Sequence, residues 1–339
     1  MKAMALYGKE DIREIALNIP EPTGHSLILK IVACGICGSD LRMYFEGPTP
    51  RYKLPIVLGH EIVAQVDRKG EQVNDLSVGD LVTVAPIMPC MRCPACIRGE
   101  DNLCERGEVI GCTIAGGFSE YMYIPEQMVL SGGVVRIPQG INPLSATMTE
   151  ILSCCYHAIN LVNFHAGDRV LIIGDGPIGL TFLQLTRFMG ASFVVTSGRR
   201  QYRRELAIRF GADDTIDAKA EGSLDKFKNA FDLVIIATSN ESVVETTFEV
   251  ARPGGNILLF SGYTYGTKIA IDPNKIHYRE IQLHGSIDAT IRDFNMSAKL
   301  LPNLKMADLI SSQFKLSAIR EGFAESRSAN VSKVIVAPD

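Results

Sequence analysis

Four cysteines have a spacing that is typical of a metal site. The pattern is C-x2-C-x2-C-x7-C, and its members are Cys90, Cys93, Cys96 and Cys104. Four thiolates this close in sequence can surround one tetrahedral Zn²⁺ at about 2.3 Å and leave no open position for a reactant. The alternatives are disulfides, unconnected core cysteines or an iron–sulfur cluster. The ferredoxin pattern has three residues before its last cysteine and a proline after it, whereas here seven residues precede Cys104 and Glu105 follows it. The spacing therefore predicts a structural zinc site.

A glycine-rich motif directly follows the apolar run Arg169–Ile173. Its residues are Gly174, Asp175, Gly176, Pro177, Ile178 and Gly179. A G-x-G-x-x-G sequence between a buried strand and a helix binds the pyrophosphate of a dinucleotide, because its glycines allow a tight turn and bring backbone N–H groups close to the ligand. The alternative is a glycine-rich turn without a ligand. The strand before the motif and the helical segment after it favour a dinucleotide site.

The residues after the next predicted strand, Phe193–Thr196, indicate which dinucleotide binds. A site that prefers NAD places Asp or Glu there, about 20 residues beyond the glycines, to bind the ribose 2′-hydroxyl. No carboxylate lies between Gly190 and Glu205. A 2′-phosphate instead needs space and the planar fork of arginine. The alternative is an exposed basic helix start. The sequence therefore predicts NADP, with NAD as the alternative, and the contacts are expected from Ser197, Gly198, Arg199, Arg200 and Arg204.

Composition excludes several classes of protein. The chain has 339 residues, 46% of them hydrophobic and 21% charged, which is the balance of a globular protein of about two domains. A net charge of −4 gives no basic field for nucleic acid, and the one dense basic cluster, at 199–204, is local. The apolar stretches are far shorter than the ~20 residues that span a bilayer, so we expect no membrane partner. The opening residues do not resemble a signal peptide, and nine cysteines are an odd number, which favours a reducing cytoplasm.

The texture of the chain changes near residue 150. The first half contains short apolar segments separated by glycine and proline, which predicts many short strands. The second half alternates apolar runs with helical segments, and this predicts a doubly wound parallel sheet. Its expected strands include Arg169–Ile173, Asp232–Ala237 and Asn256–Phe260. A terminal strand at Lys333–Val336 is expected to pack back on the first domain.

The order of these motifs resembles that of the zinc-dependent medium-chain dehydrogenase/reductase family over essentially the whole chain. Cys34-Gly-Ile-Cys37 comes first, then Gly59-His60-Glu61, the four-cysteine segment and the glycine-rich motif. The resemblance implies an α/β protein with a GroES-like, mostly-β catalytic domain and a Rossmann domain with a doubly wound parallel sheet. The expected bounds are 1–149, completed by 289–339, for the former and 150–288 for the latter. It also implies a homo-oligomer, either a dimer or a tetramer.

The same resemblance implies a second, catalytic zinc. Cys37 and His60 are its expected ligands, and Glu61 is a nearby carboxylate that binds directly or through water. The remaining ligand is expected just before the second domain, where Glu150 matches the carboxylate of the polyol and threonine dehydrogenase branch. The competing candidates, one turn later, are Cys154 and Cys155. Three protein ligands would leave a position open for a substrate oxygen.

Ser39, Asp40 and Arg42, which follow Cys37 in the chain, match positions that support the catalytic zinc in the family. Ser39 corresponds to the relay hydroxyl and Asp40 to the carboxylate that orients the zinc-bound imidazole; the alternatives are a turn serine and a helix cap. Arg42 stands where many relatives carry a histidine that passes the proton to solvent. Because arginine does not titrate near neutral pH, the proton leaves through the ribose or water, or Arg42 contacts an anionic group.

These residues predict a zinc-dependent oxidoreductase that transfers a hydride between NADP(H) and a polyol or secondary alcohol, or the corresponding ketone. One alternative is an amino-alcohol dehydrogenase of the threonine type. Another is a non-catalytic zinc- and nucleotide-binding relative, which is expected to have lost Cys37, His60 or Glu150; all three residues are present.

Overall fold

The computed structural model describes residues 1–49, 52–328 and 330–339. Its contacts divide the chain into two compact units. The first unit comprises Met1–Ser153, Ala289–Pro302 and Met306–Asp339, and the second comprises Cys154–Asp288 and Asn303–Lys305. The first division falls within one helix, Thr149–Leu161.

The elements up to residue 148 are mostly short strands. The strands are β1 (Lys2–Gly8), β2 (Asp11–Ala16), β3 (Leu27–Gly35), β4 (Ile56–Val57), β5 (Glu61–Lys69), β6 (Leu81–Val84), β7 (Ile87–Met88), β8 (Glu108–Val109), β9 (Tyr121–Ile124) and β10 (Val134–Arg136). The helices are α1 (Gly38–Phe45), α2 (Pro94–Ile97) and α3 (Glu126–Leu130), with 3-10 turns at Asp101–Leu103 and Pro143–Met148. Frequent glycines and prolines keep these elements short.

From residue 149 strands and helices alternate. The elements are α4 (Thr149–Leu161), β11 (Arg169–Ile173), α5 (Pro177–Phe188), β12 (Phe193–Gly198), α6 (Gln201–Arg209), β13 (Asp214–Asp217), β14 (Phe231–Ile236), α7 (Val244–Val250), β15 (Ala251–Leu259), α8 (Pro273–His277) and β16 (Gln282–Gly285). The remaining elements are α9 (Ile291–Leu300), β17 (Ile310–Lys315), α10 (Ile319–Glu325) and β18 (Lys333–Ala337). Further 3-10 turns lie at Asp225–Phe227, Glu241–Val243, Leu301–Asn303, Met306–Leu309 and Leu316–Ala318.

The first unit is built on a seven-stranded sheet in the order β10-β6-β5-β3-β18-β17, with β9 also paired to β3. The antiparallel register pairs Gly35 at the end of β3 with Glu61 at the start of β5. Cys37 follows β3 and His60 precedes β5, so this pairing brings both residues to one end of the sheet. Strand β18, which begins with Lys333, lies on the other side of β3.

The second unit contains a six-stranded parallel sheet in the order β13-β12-β11-β14-β15-β16. Strand β11 is buried from Val170 to Ile173, as expected for a continuous apolar run in a sheet that is covered on both faces. The strand order reverses between β11 and β14, and ligands of such sheets bind at the carboxyl ends of the strands near this reversal. The glycine-rich motif begins directly after β11. The predicted doubly wound parallel sheet is confirmed.

Each unit buries its own apolar residues. The core of the first unit includes Leu29, Ile62 and Phe118, and a core of the second includes Leu171 and Val234. No helix within the described ranges combines the length and the apolar character that crossing a membrane requires.

Candidate functional site

The four cysteines of the predicted structural zinc site meet in space. Their sulfur atoms all lie within 4.8 Å of one another. Cys93 Sγ lies 3.5 Å from Cys96 Sγ and 3.7 Å from Cys104 Sγ. A tetrahedral zinc with Zn–S bonds of about 2.3 Å separates its sulfurs by about 3.8 Å, whereas a disulfide requires about 2.05 Å. The geometry therefore fits a metal-binding tetrad of free thiols.

The backbone around the tetrad favours thiolates. A hydrogen bond from the backbone N–H of Arg92 lowers the pKa of Cys90 to about 6. The backbone N–H of Cys96 likewise lowers the pKa of Cys93. Burial, in contrast, raises the pKa of Cys96 to about 12. A divalent cation would stabilise all four thiolates together, because metal ligation requires the deprotonated form.

Cys37, Asp40 and His60 form a second cluster, where β3 ends and β5 begins. Asp40 lies in the first turn of α1, where its Oδ2 accepts a hydrogen bond of 2.9 Å from the Cys37 N–H. Its other oxygen accepts a hydrogen bond of 3.4 Å from the Gly59 N–H and lies 3.8 Å from His60 Nδ1. Asp40 thus joins both segments and faces the imidazole, the position expected for a carboxylate that orients a metal-bound histidine.

The surroundings of His60 are strongly anionic. Burial lowers the pKa of His60, but Cys37, Asp40 and Glu150 raise it, and the result lies well above the ordinary value. Cys37 is also within side-chain hydrogen-bonding reach of the imidazole. Glu150, which is buried at the start of α4, belongs to the same electrostatic environment. A thiol, an imidazole and a carboxylate are types of group that bind zinc at an open site, and here Cys37 and His60 are partly buried while Glu150 is buried.

Glu61 is buried beside this cluster and is paired with Lys333. Lys333 Nζ lies 2.5 Å from Glu61 Oε1 and donates a second hydrogen bond, of 2.8 Å, to the Ile36 carbonyl. Burial lowers the pKa of Lys333, but Glu61, Cys37 and Glu150 raise it above the ordinary value. The lysine therefore holds the Glu61 carboxylate next to the predicted ligands.

Ser39 and Arg42 lie on α1, within one turn of each other. Ser39 is half-buried in the first turn, two residues after Cys37, whereas Arg42 is exposed. Proximity to Cys37 in the chain fits the predicted role of the serine. The exposed guanidinium of Arg42 does not extend the buried cluster.

The glycine-rich motif forms the turn between β11 and α5. Gly174 has φ +123°, and a Cβ on it would lie 2.6 Å from the Ala237 carbonyl oxygen, so the position requires glycine. A Cβ on Gly179 would lie 1.8 Å from the Gly174 carbonyl oxygen. Gly176 caps α5, and Pro177 and Ile178 begin it. The turn thus presents a helix N-terminus at the carboxyl end of β11, where a pyrophosphate binds in such sheets.

The predicted coenzyme residues at the end of β12 lie beside this turn. Ser197 accepts a 2.8 Å hydrogen bond from the Gly174 N–H through its carbonyl oxygen. Arg199 is exposed and Arg200 caps α6. Arg204 instead donates a 3.1 Å hydrogen bond to the Gly198 carbonyl and lies 3.1 Å from Asp217 Oδ2. Arg199 and Arg200 are therefore the arginines of this set that lie at the turn itself.

Three charged residues lie at these sites although the sequence did not predict them as site residues. Lys333 reaches Glu61 only because β18 pairs with β3, which no local pattern reveals. Arg203 lies three residues after Arg200, and this helical spacing could have placed both on one face. Asp175 occupies a position that the glycine motif leaves unspecified.

Two family models match separate segments of the chain. A family model described as an alcohol dehydrogenase GroES-like domain matches residues 23–138, and one described as a zinc-binding dehydrogenase matches residues 177–303. The first matched segment contains the four-cysteine tetrad, and the second begins within the glycine-rich motif, at Pro177.

Several proteins are similar along most of their length. L-galactonate-5-dehydrogenase of Escherichia coli (strain K12) is 33% identical over 86% of this chain and 85% of its own. D-arabinitol dehydrogenase 1 of Uromyces fabae is 28% identical over 100% of this chain and 97% of its own. Among solved structures, a zinc-binding dehydrogenase of Sinorhizobium meliloti 1021 bound to NADP is 31% identical, covers 99% of both chains and superposes with a TM-score of 0.92.

Proposed function

The chain belongs to the zinc-dependent medium-chain dehydrogenase family, and we propose that it transfers a hydride between NADP(H) and a secondary hydroxyl of a polyol or polyhydroxy acid, or the corresponding ketone. The family and the two-part fold predicted from the sequence, GroES-like and Rossmann, are confirmed. The chain is accordingly an oxidoreductase of alcohols or polyols. The choice of coenzyme and of substrate belongs to the proposal.

One observation carries the proposal: the partly buried Cys37 and His60 share one anionic environment with the buried Glu150. One thiolate, one imidazole and one carboxylate are the ligands of an open zinc site, and they leave room for a substrate oxygen. Zn²⁺ held there would act as a Lewis acid that lowers the pKa of an alcohol hydroxyl. Cys90, Cys93, Cys96 and Cys104 would hold the second, structural ion.

The protein groups around the open site have distinct tasks. Asp40 orients the His60 imidazole and ties the Cys37 backbone to Gly59. Lys333 keeps the Glu61 carboxylate beside the ligands. Ser39 accepts the proton that the substrate hydroxyl loses and passes it onward. Because Arg42 cannot titrate near neutral pH, the proton leaves Ser39 through the coenzyme ribose or through water.

The coenzyme would bind in the second unit. Backbone N–H groups at the start of α5 would receive the pyrophosphate. Arg199 and Arg200 would meet the 2′-phosphate with planar, charged donors. The structure of the relative from Sinorhizobium meliloti contains bound NADP, which supports the choice of NADP for this chain. Polyhydroxylated substrates are favoured by the names of the L-galactonate and D-arabinitol relatives.

The test is a matrix of kcat/KM values for NADP and NAD against polyols, polyhydroxy acids, simple secondary alcohols and amino alcohols. We expect the highest value for NADP with a polyhydroxylated substrate, and about two zinc ions per chain. C37S should abolish turnover because it removes a ligand, and it should leave NADPH binding intact. A preference for NAD would contradict the coenzyme proposal, and a preference for amino alcohols would replace the substrate class by the threonine type. Absence of turnover in a zinc-loaded, NADPH-binding protein would favour a non-catalytic relative.

A cytoplasmic homo-oligomer remains a prediction. Light scattering of the purified full chain measures its mass directly, and a dimer or a tetramer of the 37.0 kDa chain is expected. A monomer under assay conditions would contradict this expectation.

A further inference from the structure

The glycine at position 198, at the end of β12, is required by a neighbouring side chain and not by its own backbone conformation. Gly198 does not have the positive φ of the left-handed region, so an ordinary residue could adopt its conformation. In the sheet it pairs with Asp217 of β13 on one side. The glycine-rich turn lies on the other side, because Ile173 pairs with Ser197.

The space that a side chain at position 198 would need is filled by Asp175. A Cβ built on Gly198 would lie 2.0 Å from Asp175 Oδ2, 2.1 Å from its Cγ and 2.3 Å from its Cβ. Asp175 is itself buried and short, so it cannot swing away as the tip of a long side chain could. A carboxylate that many dinucleotide sites carry at the strand end is here supplied by the second residue of the glycine motif.

The Asp175 carboxylate is fixed by the start of helix α6. Its Oδ2 accepts a 3.1 Å hydrogen bond from the backbone N–H of Arg200, the N-cap of α6. The first turn of α6 contains no acidic residue of its own, so the aspartate provides the negative charge that a helix N-terminus favours.

Arg203 places a positive charge at the same point. A Cβ on Gly176 would lie 3.7 Å from Arg203 Nη1, which locates this guanidinium beside the pyrophosphate turn. Burial and the neighbouring Arg200 lower the pKa of Arg203, and Asp175 opposes this effect. The aspartate is therefore surrounded by a helix N-terminus and arginines, which offset its charge.

We propose that Asp175 and Gly198 are an exchangeable pair that determines coenzyme choice. Asp175 occupies the place of the strand-end side chain, and its carboxylate is held by the Arg200 backbone instead of being directed at the ribose 2′ oxygen. Position 198 itself then presents no carboxylate to the ribose, and the exposed Arg199 next to it can meet a 2′-phosphate. Asp175 is a positioning residue in this scheme, and the inference rests on the proposed preference for NADP.

The test compares the wild-type chain with G198D, D175A and the double variant D175A/G198D. G198D alone introduces a side chain into filled space, and we expect its Tm to fall by roughly 5 °C because overpacking a buried site is destabilising. D175A/G198D keeps the number of carboxylates and removes the overlap, so most of this loss should be recovered. The new strand-end carboxylate should then favour NADH over NADPH by about tenfold or more, measured as Kd by coenzyme fluorescence.

The matched control is D214A/G198D. Asp214 lies at the opposite end of β13, where it pairs with Lys226, so its removal changes the charge equally without freeing space at position 198. We expect no recovery of Tm in this control. Equal recovery in both double variants, or additive effects of D175A and G198D, would overturn the pairing. A well-folded D175A/G198D that still prefers NADPH would overturn the role in coenzyme choice.

These results separate the two proposals. Wild-type affinities for NADPH and NADH test the proposed coenzyme without any substitution. A wild-type preference for NADH together with strong recovery of Tm would refute the NADP assignment and keep the steric pair. A wild-type preference for NADPH together with additive effects of D175A and G198D would keep the NADP assignment and refute the steric pair.

Discussion

At the scale of single residues, the most consequential side chains are charged and buried. Asp40, Glu61 and Lys333 are all buried, although burying a charge is costly unless it is paired and hydrogen-bonded. Each has a partner: Asp40 has two backbone N–H donors, and Glu61 and Lys333 have each other. A buried ion pair contributes little net stability, but removing one partner strongly destabilises the protein because the other charge stays buried without compensation.

K333M tests this asymmetry. The substitution leaves the Glu61 carboxylate buried without its cation, and we expect the free energy of unfolding to fall by about 3–5 kcal/mol. K333M/E61Q removes both charges and should recover much of the loss. Urea unfolding at neutral pH, with zinc content measured in parallel, provides the comparison. If K333M were as stable as the wild type, Lys333 would not be the group that neutralises Glu61.

At the scale of elements, features set by residues close together in the sequence were predictable, and contacts between strands far apart in the sequence were not. The turn between β11 and α5 was predictable because Gly174, Gly176 and Gly179 lie within six residues and their spacing alone specifies the turn. The four-cysteine loop was predictable for the same reason. Lys333 was not, because its partner Glu61 is 272 residues away along the chain and the pairing of β18 with β3 creates the contact. Asp175 was not, because its role follows from parallel pairing of β11 with β12.

The turn between β11 and α5 allows a steric test with a matched control. G179A places a Cβ 1.8 Å from the Gly174 carbonyl oxygen. That oxygen belongs to the backbone, so it cannot move aside as the end of a flexible side chain could. We expect a loss of about 1–3 kcal/mol in stability and strongly weakened NADPH binding. In G285A the new Cβ meets nothing within 4 Å, so G285A should bind NADPH as the wild type does. Equal binding by both variants would exclude the close helix–strand approach.

The four-cysteine loop is expected to contribute stability rather than chemistry. C93S removes one sulfur of the tetrad, so about one zinc ion per chain should be lost and Tm should fall. R98A, in the same loop, removes an exposed ion pair with Glu100 and should change stability by less than about 0.5 kcal/mol. If folded C93S kept its stability and lost only turnover, the structural and catalytic assignments of the two sites would be reversed.

At the scale of the whole molecule, we expect the first unit to hold two zinc ions that exchange with solvent at different rates. A site with three protein ligands and an open position exchanges with solvent more readily than a closed thiolate tetrad.

Stepwise metal removal tests this expectation. Mild treatment with a chelator should remove about one zinc ion per chain and abolish turnover, while Tm changes little. A thiol-modifying reagent should release the second ion, and unfolding should accompany its loss. Loss of both ions in one step, with simultaneous unfolding, would contradict the assignment of one open and one closed site.

The position of β18 has a consequence for the order in which the protein forms. The sheet of the first unit requires β18 between β3 and β17, yet some 300 residues separate β3 from β18 in the sequence. During vectorial synthesis β3 emerges early, and the edge that β18 later covers has no partner until residues 333–337 have been translated. The continuous segment Cys154–Asp288 makes up most of the second unit, so that unit forms its contacts mostly within this segment. Domains generally fold as units as the chain emerges. The nascent chain therefore carries an uncapped β-edge through most of its elongation, which is the stage at which chaperones would protect it.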